Sequence, residues 1–246
     1  MPHPTEILSK GHYRARFAQG DRDLSAAQSF RSQCFGITTP DLDRFDDSCH
    51  HILIEDIRCD MLVGYFRVLH LADGACVPQS YSAQFYDLSG LEQYSGPMAE
   101  MGRFCIHPNV NSPDILRLSW GALTCIVDDI GIQMLFGCTS FAGTQADRYL
   151  DAFAVLRHRH LAPNLWLPQV GSPKVFKFDL LSQYKPDLKR AMLQMPPLLR
   201  SYLAMGGWVS DHAVVDAELN TMHVLTGLEV ATIPDSRKRL LRAVAG

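Results

Sequence analysis

Apolar positions along the first third of the chain alternate between two periods. His12 to Phe17 alternates and predicts an opening strand. Ser25 to Phe35 carries Ala26, Phe30 and Cys34 at helical spacing, with Asp23 or Ser25 available to cap the start. A polar loop, Thr38 to Asp47, follows. His51 to Ile57 and Met61 to Leu71 read as strands around the turn Arg58-Cys59-Asp60. Ala99 to His107 reads as a further strand, stopped by Pro108.

Ser112-Pro113-Asp114 starts a helix that runs to about Asp129 and ends at Gly131. Gln133 to Cys138 is the next strand, and Gln145 to Arg159 the next helix, closed by His160 and Pro163. Lys185 to Met205 is helical with a break at Pro196-Pro197. Gly207 to Val215 and Thr221 to Ile233 are strands, and Asp235 to Val244 is a short basic helix. No internal repeat or low-complexity tract is visible. This order predicts a mixed α/β class (α+β in its strand mixture), with a central mixed sheet flanked by helices. The expected division is a core over 1–175 and a C-terminal extension over 176–246, packed on it as a single structural unit.

Composition narrows the class. The chain has 246 residues, 47% hydrophobic and 20% charged, which suits a globular enzyme and excludes a disordered chain. A formal charge of -3 argues against a dedicated nucleic-acid binder. The opening MPHPTEILSKGHYRARF lacks the apolar stretch of a signal peptide. No segment approaches the roughly 18 apolar residues of a membrane span. Seven cysteines, an odd number without C-x-x-C pairs, look like small hydrophobes in a reducing compartment. A cytoplasmic protein is expected. Cys49-His50-His51 and His158-Arg159-His160 lack partner clusters at ligand spacing, so no metal is expected.

The motifs are more specific in their order than singly. Arg31 and Phe35, then Asp43-Arg44-Phe45-Asp46-Asp47 with His51, then Gly64-Tyr65-Phe66-Arg67, then Glu100-Met101-Gly102-Arg103 resemble the shared pattern of acyl-homoserine-lactone synthases and their relatives. The wider chain is similar to ornithine lipid-forming N-acyltransferases, through Leu135 to Phe141, His160-Leu161-Ala162-Pro163 and Pro196 to Leu228. The resemblance implies the GNAT acyltransferase fold. It also implies transfer of a 3-hydroxyacyl group from acyl carrier protein to the α-amine of ornithine, giving lyso-ornithine lipid. One departure stands out: Gly36 to Asp41 contains no tryptophan, where the lactone synthases carry one that helps enclose S-adenosylmethionine.

Such a reaction needs a base, because an α-amino group titrates at about 8. Glu100, inside an apolar strand, is the candidate; the alternative is a carboxylate that merely pairs with an arginine. Glu100 and Arg103 are three apart and face opposite ways in a regular strand. A bulge at Gly102, which GNAT enzymes are known for, would bring both to one site and leave an N–H for the thioester oxygen. Arg31, Arg67 and Arg103 could fork a substrate carboxylate, and Asp43 and Asp46 could hold a side-chain ammonium. The alternative is that these charges neutralise one another. On the substrate-binding reading, Asp46→Ala and Arg67→Ala raise KM. Phe35 joins the amine-binding set, Phe104, Ile106 and Ser140 are assigned to the acyl-pantetheine side, and Ser140 and Tyr149 lie where a proton donor to the thiolate is often found.

The loop Pro108-Asn109-Val110-Asn111-Ser112-Pro113 lacks the glycines that cradle a pyrophosphate. That fits the single phosphodiester of a carrier-bound 4'-phosphopantetheine, with no separate cofactor. An acidic carrier protein calls for a basic docking patch, either Lys185, Lys189, Arg190 and Arg200 or the tail Arg237 to Arg242. The tail is also amphipathic enough for peripheral contact with an anionic membrane. The competing readings are a lactone-synthase-like enzyme using another amine (glutamine, glycine, lysine or S-adenosylmethionine) and a non-catalytic module that binds carrier protein.

Overall fold

The computed structural model describes residues 6–110 and 112–245. Asn111, in the glycine-free loop, lies outside the described residues. In chain order the elements are β1 (Glu6–Lys10), β2 (Tyr13–Phe17), α1 (Gly20–Phe35), β3 (His50–Asp56), β4 (Met61–Leu71), β5 (Tyr86–Asp87) and β6 (Met98–Ile106). There follow α2 (Pro113–Ile130), β7 (Met134–Ala142), α3 (Leu150–Arg159), β8 (Gln169–Val170), β9 (Val175–Lys177), α4 (Leu188–Gln194) and α5 (Pro197–Ala204). The series ends with β10 (Trp208–Val209), β11 (His212–Asp216), β12 (Thr221–Glu229) and α6 (Asp235–Ala245).

These elements fall into two compact units, and the chain passes between them more than once. The first contains residues 1–70, 101–132 and 235–246; the second contains 71–100 and 133–234. α6 belongs to the first unit because it packs on α2, where the absent side chain of Gly121 makes room for Val244.

In the first unit β1, β2, β3 and β4 form an antiparallel series, with β6 next to β4. Cross-strand pairs Leu53↔Tyr65 and His51↔Arg67 follow the two-residue side-chain period, so Tyr65 and Arg67 share one face. Helix α1 covers part of that face with Ala27 and Phe30, which pack with Leu53, Tyr65 and Cys105. α2 begins as its sequence predicts: the Ser112 hydroxyl accepts from the Asp114 N–H, and Gly131 at φ 74 returns an N–H to Val127 O.

α1 begins earlier than its apolar spacing indicates, with Gln19 at its N-cap and no side-chain cap. Asp23 sits inside the helix, pairs with Arg16 and accepts the Gln19 N–H at 2.7 Å.

In the second unit the first residues of β6 run parallel to β7, and β7 lies antiparallel to the long strand β12, followed by β11 and β9. Phe141, Phe153, Phe178, Leu199 and Val224 build its core. Proline divides the expected 185–205 helix into α4 and α5 as its sequence indicates. β7 and β12 are paired from Met134↔Glu229 to Ala142↔Thr221, and Gly227 in that ladder allows the Trp208 ring to lie on the backbone. A methyl group on Gly227 would come within 2.2 Å of Trp208 ring carbons. Gly227→Ala should therefore destabilise the chain by about 1–3 kcal/mol through overpacking. Thermal unfolding of the variant beside the parent checks this.

Candidate active site

The first unit buries three arginines and three aspartates in a closed ring. Arg31 follows Phe30 on the buried stripe of α1 and has 0% side-chain exposure. Its Nε donates to Asp41 Oδ2 at 2.9 Å and its Nη1 to Asp46 Oδ1 at 2.6 Å. Arg67 of β4, 2% exposed, donates to Asp43 at 2.6 and 2.7 Å and to Asp46 at 2.6 Å. Arg103 of β6, 10% exposed, bonds Asp41 through Nε at 2.9 Å and pairs with Asp43 through Nη2 at 3.0 Å. Each acid thus bridges two arginines, and the six formal charges cancel.

Local chemistry explains why the loop presents three acids inward. The Ser32 hydroxyl accepts the Asp41 N–H and shares its one hydrogen between the Gln28 and Thr39 carbonyls, 2.9 and 2.8 Å away, so the chain leaving α1 is pinned to that helix. Asp43 Oδ1 accepts the Phe45 N–H at 2.9 Å, a local turn of the kind short acids favour. His51 Nε2 donates to the Asp46 carbonyl at 2.9 Å, which leaves Nδ1 to accept from the Tyr65 hydroxyl at 2.6 Å. Burial lowers the His51 pKa, favouring that neutral ring. Burial alone would raise Asp46, but hydrogen bonds and charges from Arg31 and Arg67 outweigh it and hold the carboxyl at about 2. Asp43 is lowered by the same balance, with Arg67 and Arg103 as its partners.

Arg31, Arg67, Asp43 and Asp46, assigned from sequence to the amine substrate, have their charges met by one another in this structure, the alternative the sequence also left open. Phe35 is half-buried and packs on the apolar cluster beneath α1. Asp41 and Tyr65 complete the ring's contacts; Tyr65 stands in the Gly64-Tyr65-Phe66-Arg67 motif, but neither residue was given a role from sequence. Phe104 packs near Phe66, with ring centroids 6.5 Å apart, and the Ile106 carbonyl faces Cys34 Sγ at 3.6 Å.

β6 does carry a backbone irregularity. Arg103 has φ 52, a left-handed value inside a strand, one residue beyond the glycine where a bulge is expected. The β6–β7 ladder runs only from Met98↔Met134 to Glu100↔Phe136.

Glu100, in the second unit, is 5% exposed. Its carboxylate accepts the N–H groups of Tyr81 and Ser82, each at 2.7 Å, and the Ser82 hydroxyl at 2.5 Å. The turn before β5 thus holds the acid in a cradle of donors that makes burial of a carboxylate tolerable. Ser82 Oγ also lies 3.4 Å from Cys138 Sγ. Ser140 is exposed on β7 opposite His223, and the Tyr149 hydroxyl donates to the Ala142 carbonyl at 2.6 Å. Burial drives His223 down to about 4, so it is neutral beside Tyr86.

Residues 27–121 match the family model described as acetyltransferase (GNAT) domain. Over 243 residues the chain is 29% identical to L-ornithine N(alpha)-acyltransferase of Agrobacterium fabrum, covering 91% of this chain and 83% of the relative. The corresponding enzyme of Rhodobacter capsulatus is 28% identical, covering 92% and 93%. In fold the chain is similar to FeeM, an N-acyl amino acid synthase from uncultured soil microbes, with a TM-score of 0.52, 11% identity and coverage of 89% and 91%. The chain is a GNAT-fold acyltransferase.

In this acyltransferase the segment matched by the family model includes Arg31, Asp41, Asp43, Asp46, Arg67, Glu100 and Arg103. Among the described residues no group of three or more His, Cys, Asp or Glu is placed to hold a metal ion. No helix among them is long and apolar enough to cross a membrane. Of the basic side chains considered for docking, Arg190 is tied to Asp151, whereas Lys185, Lys189 and Arg200 lie on the exposed surface.

Removing one ring member strands two partners in the interior. Arg31→Met should lower unfolding stability by about 3–5 kcal/mol at neutral pH, read from urea denaturation. Asp43 and Asp46 are depressed on folding, so their contribution is present above the ordinary value of 3.8 and, for Asp46, is lost as pH falls through about 2. The gap between parent and Arg31→Met should accordingly narrow on acidification across that window.

Proposed function

We propose that this acyltransferase moves a 3-hydroxyacyl group from acyl carrier protein to the α-amine of L-ornithine, giving lyso-ornithine lipid. The observation that carries the reading is similarity along more than nine-tenths of the chain to enzymes named as L-ornithine N(alpha)-acyltransferases. The carrier-protein donor is supported by the glycine-free loop before α2. A phosphopantetheine arm offers that loop one phosphodiester, so a nest of N–H groups for a pyrophosphate is not required.

In the proposed reaction the neutral amine attacks the thioester carbonyl directly. Glu100 takes the proton that the nitrogen loses. Its cradle fixes the carboxylate before the substrate arrives, so little reorganisation accompanies proton transfer. The ring formed by Arg31, Asp46, Arg67, Asp43, Arg103 and Asp41 holds the 41–51 loop rigid, and Arg103 is its most exposed arginine. Lys185, Lys189 and Arg200 are each exposed, and their charge is complementary to an acidic carrier.

The test is thiol release from purified 3-hydroxyacyl-carrier protein, with the acyl-amino-acid product identified by mass spectrometry. Release should require ornithine and should be faster than from the matching acyl-CoA. Glutamine, glycine, lysine or S-adenosylmethionine supporting equal or faster release would replace ornithine with that amine. Glu100→Gln should lower kcat by about 100-fold or more while the variant still binds carrier protein. Unchanged turnover would remove Glu100 from the chemistry.

A further inference from the structure

We propose that Cys138 is the acid that protonates the departing thiolate and that Ser82 couples it to Glu100. The proposal rests on the reading of Glu100 as the base.

The hydrogen-bond directions follow from donor counts. Ser82 has one hydroxyl hydrogen, and an ionised carboxylate can only accept. The 2.5 Å contact therefore commits that hydrogen to Glu100 Oε1. Cys138, 3.4 Å from Ser82 Oγ, must then be the donor of the second contact. The result is an ordered path, thiol to hydroxyl to carboxylate.

Its placement is equally specific. Ser82 is buried, and its N–H holds the same carboxylate oxygen, so the hydroxyl has a fixed position. Cys138 lies two residues beyond Phe136, which pairs with Glu100, and shares its face of β7. Unlike Ser82 it is partly exposed. The path thus runs from an enclosed carboxylate to an accessible thiol. The other candidates on this strand and beyond it are less suited: the Tyr149 hydroxyl already gives its proton to a backbone carbonyl, and Ser140 is an alcohol on the exposed surface.

The proton count closes. The amine nitrogen bonds to the acyl carbon, the C–S bond breaks, and its electron pair stays on the leaving sulfur. Glu100 receives the proton lost by nitrogen, and Cys138 gives its own to the leaving sulfur. Ser82 then passes its hydrogen to the Cys138 thiolate and takes the one on Glu100. One proton has moved from nitrogen to sulfur, and all three side chains are restored. Cys138 and the departing pantetheine sulfur are both alkyl thiols, so the proton passed between them moves between groups of like acidity.

Leaving-group dependence tests this. The whole chain and its variants are assayed with two donors bearing the same acyl group. One is a pantetheine thioester; the other is a nitrophenyl thioester, whose thiolate departs without a proton. Cys138→Ala should lower kcat about 100-fold with the pantetheine donor, with KM little changed, and stay within about 3-fold of the parent with the aryl donor. Ser82→Ala also removes a hydrogen bond from Glu100, so it should slow both donors, the pantetheine donor at least 10-fold more than the aryl donor. Equal loss on both donors would mark a packing role and overturn the proposal, as would full activity of Cys138→Ala on the pantetheine donor. Glu100→Gln should slow both donors. If it slows neither, the base reading fails and this proposal with it; if it slows both while Cys138→Ala loses nothing, the proton-donor assignment alone fails.

Discussion

The alternation of three guanidinium groups with three carboxylates is the constraint on which the first unit depends. A buried charge is costly unless it is paired and hydrogen-bonded, and here each acid has two cationic partners. The arrangement draws one arginine from a helix, two from strands and all three acids from one loop. It thereby fixes where that loop can lie. It also accounts for the left-handed backbone at Arg103, a conformation that costs a non-glycine residue about 1–3 kcal/mol and persists where surrounding bonds determine it.

Glu100 shows a different way of keeping an acid in the interior. Two amides and a hydroxyl, all from consecutive residues of one turn, meet its two oxygens. The two solutions differ in kind: a neutral lattice of paired charges, and a cradle of amide and hydroxyl dipoles.

Much of this framework was legible in the sequence because it is written in local patterns. β4 spans Met61–Leu71 as its alternation indicates, and α2 starts and stops at its serine and glycine. The motif residues Arg31, Asp43, Asp46, Arg67 and Arg103 do converge, but their partners could not be assigned from one-dimensional order. Three arginines and their acids read equally well as a binding fork or as a self-neutralised cluster, and only distances separate the two. Ser82 escaped notice because it lies in a short turn between 71 and 98 with no period to detect, although that turn holds Glu100. Asp23 misled for the opposite reason, since a capping residue type was present and its bond to Gln19 forms from inside the helix.

The interleaved connectivity has a consequence for how the polypeptide emerges during synthesis. The first unit includes α6, which packs on α2, yet roughly a hundred residues belonging to the second unit lie between them. At bacterial or eukaryotic elongation speeds that interval lasts on the order of 5–20 s. Throughout it the surface of α2 around Gly121 lacks its covering helix. The earlier-made portion must therefore wait, partly uncovered, for a segment translated long after its own strands.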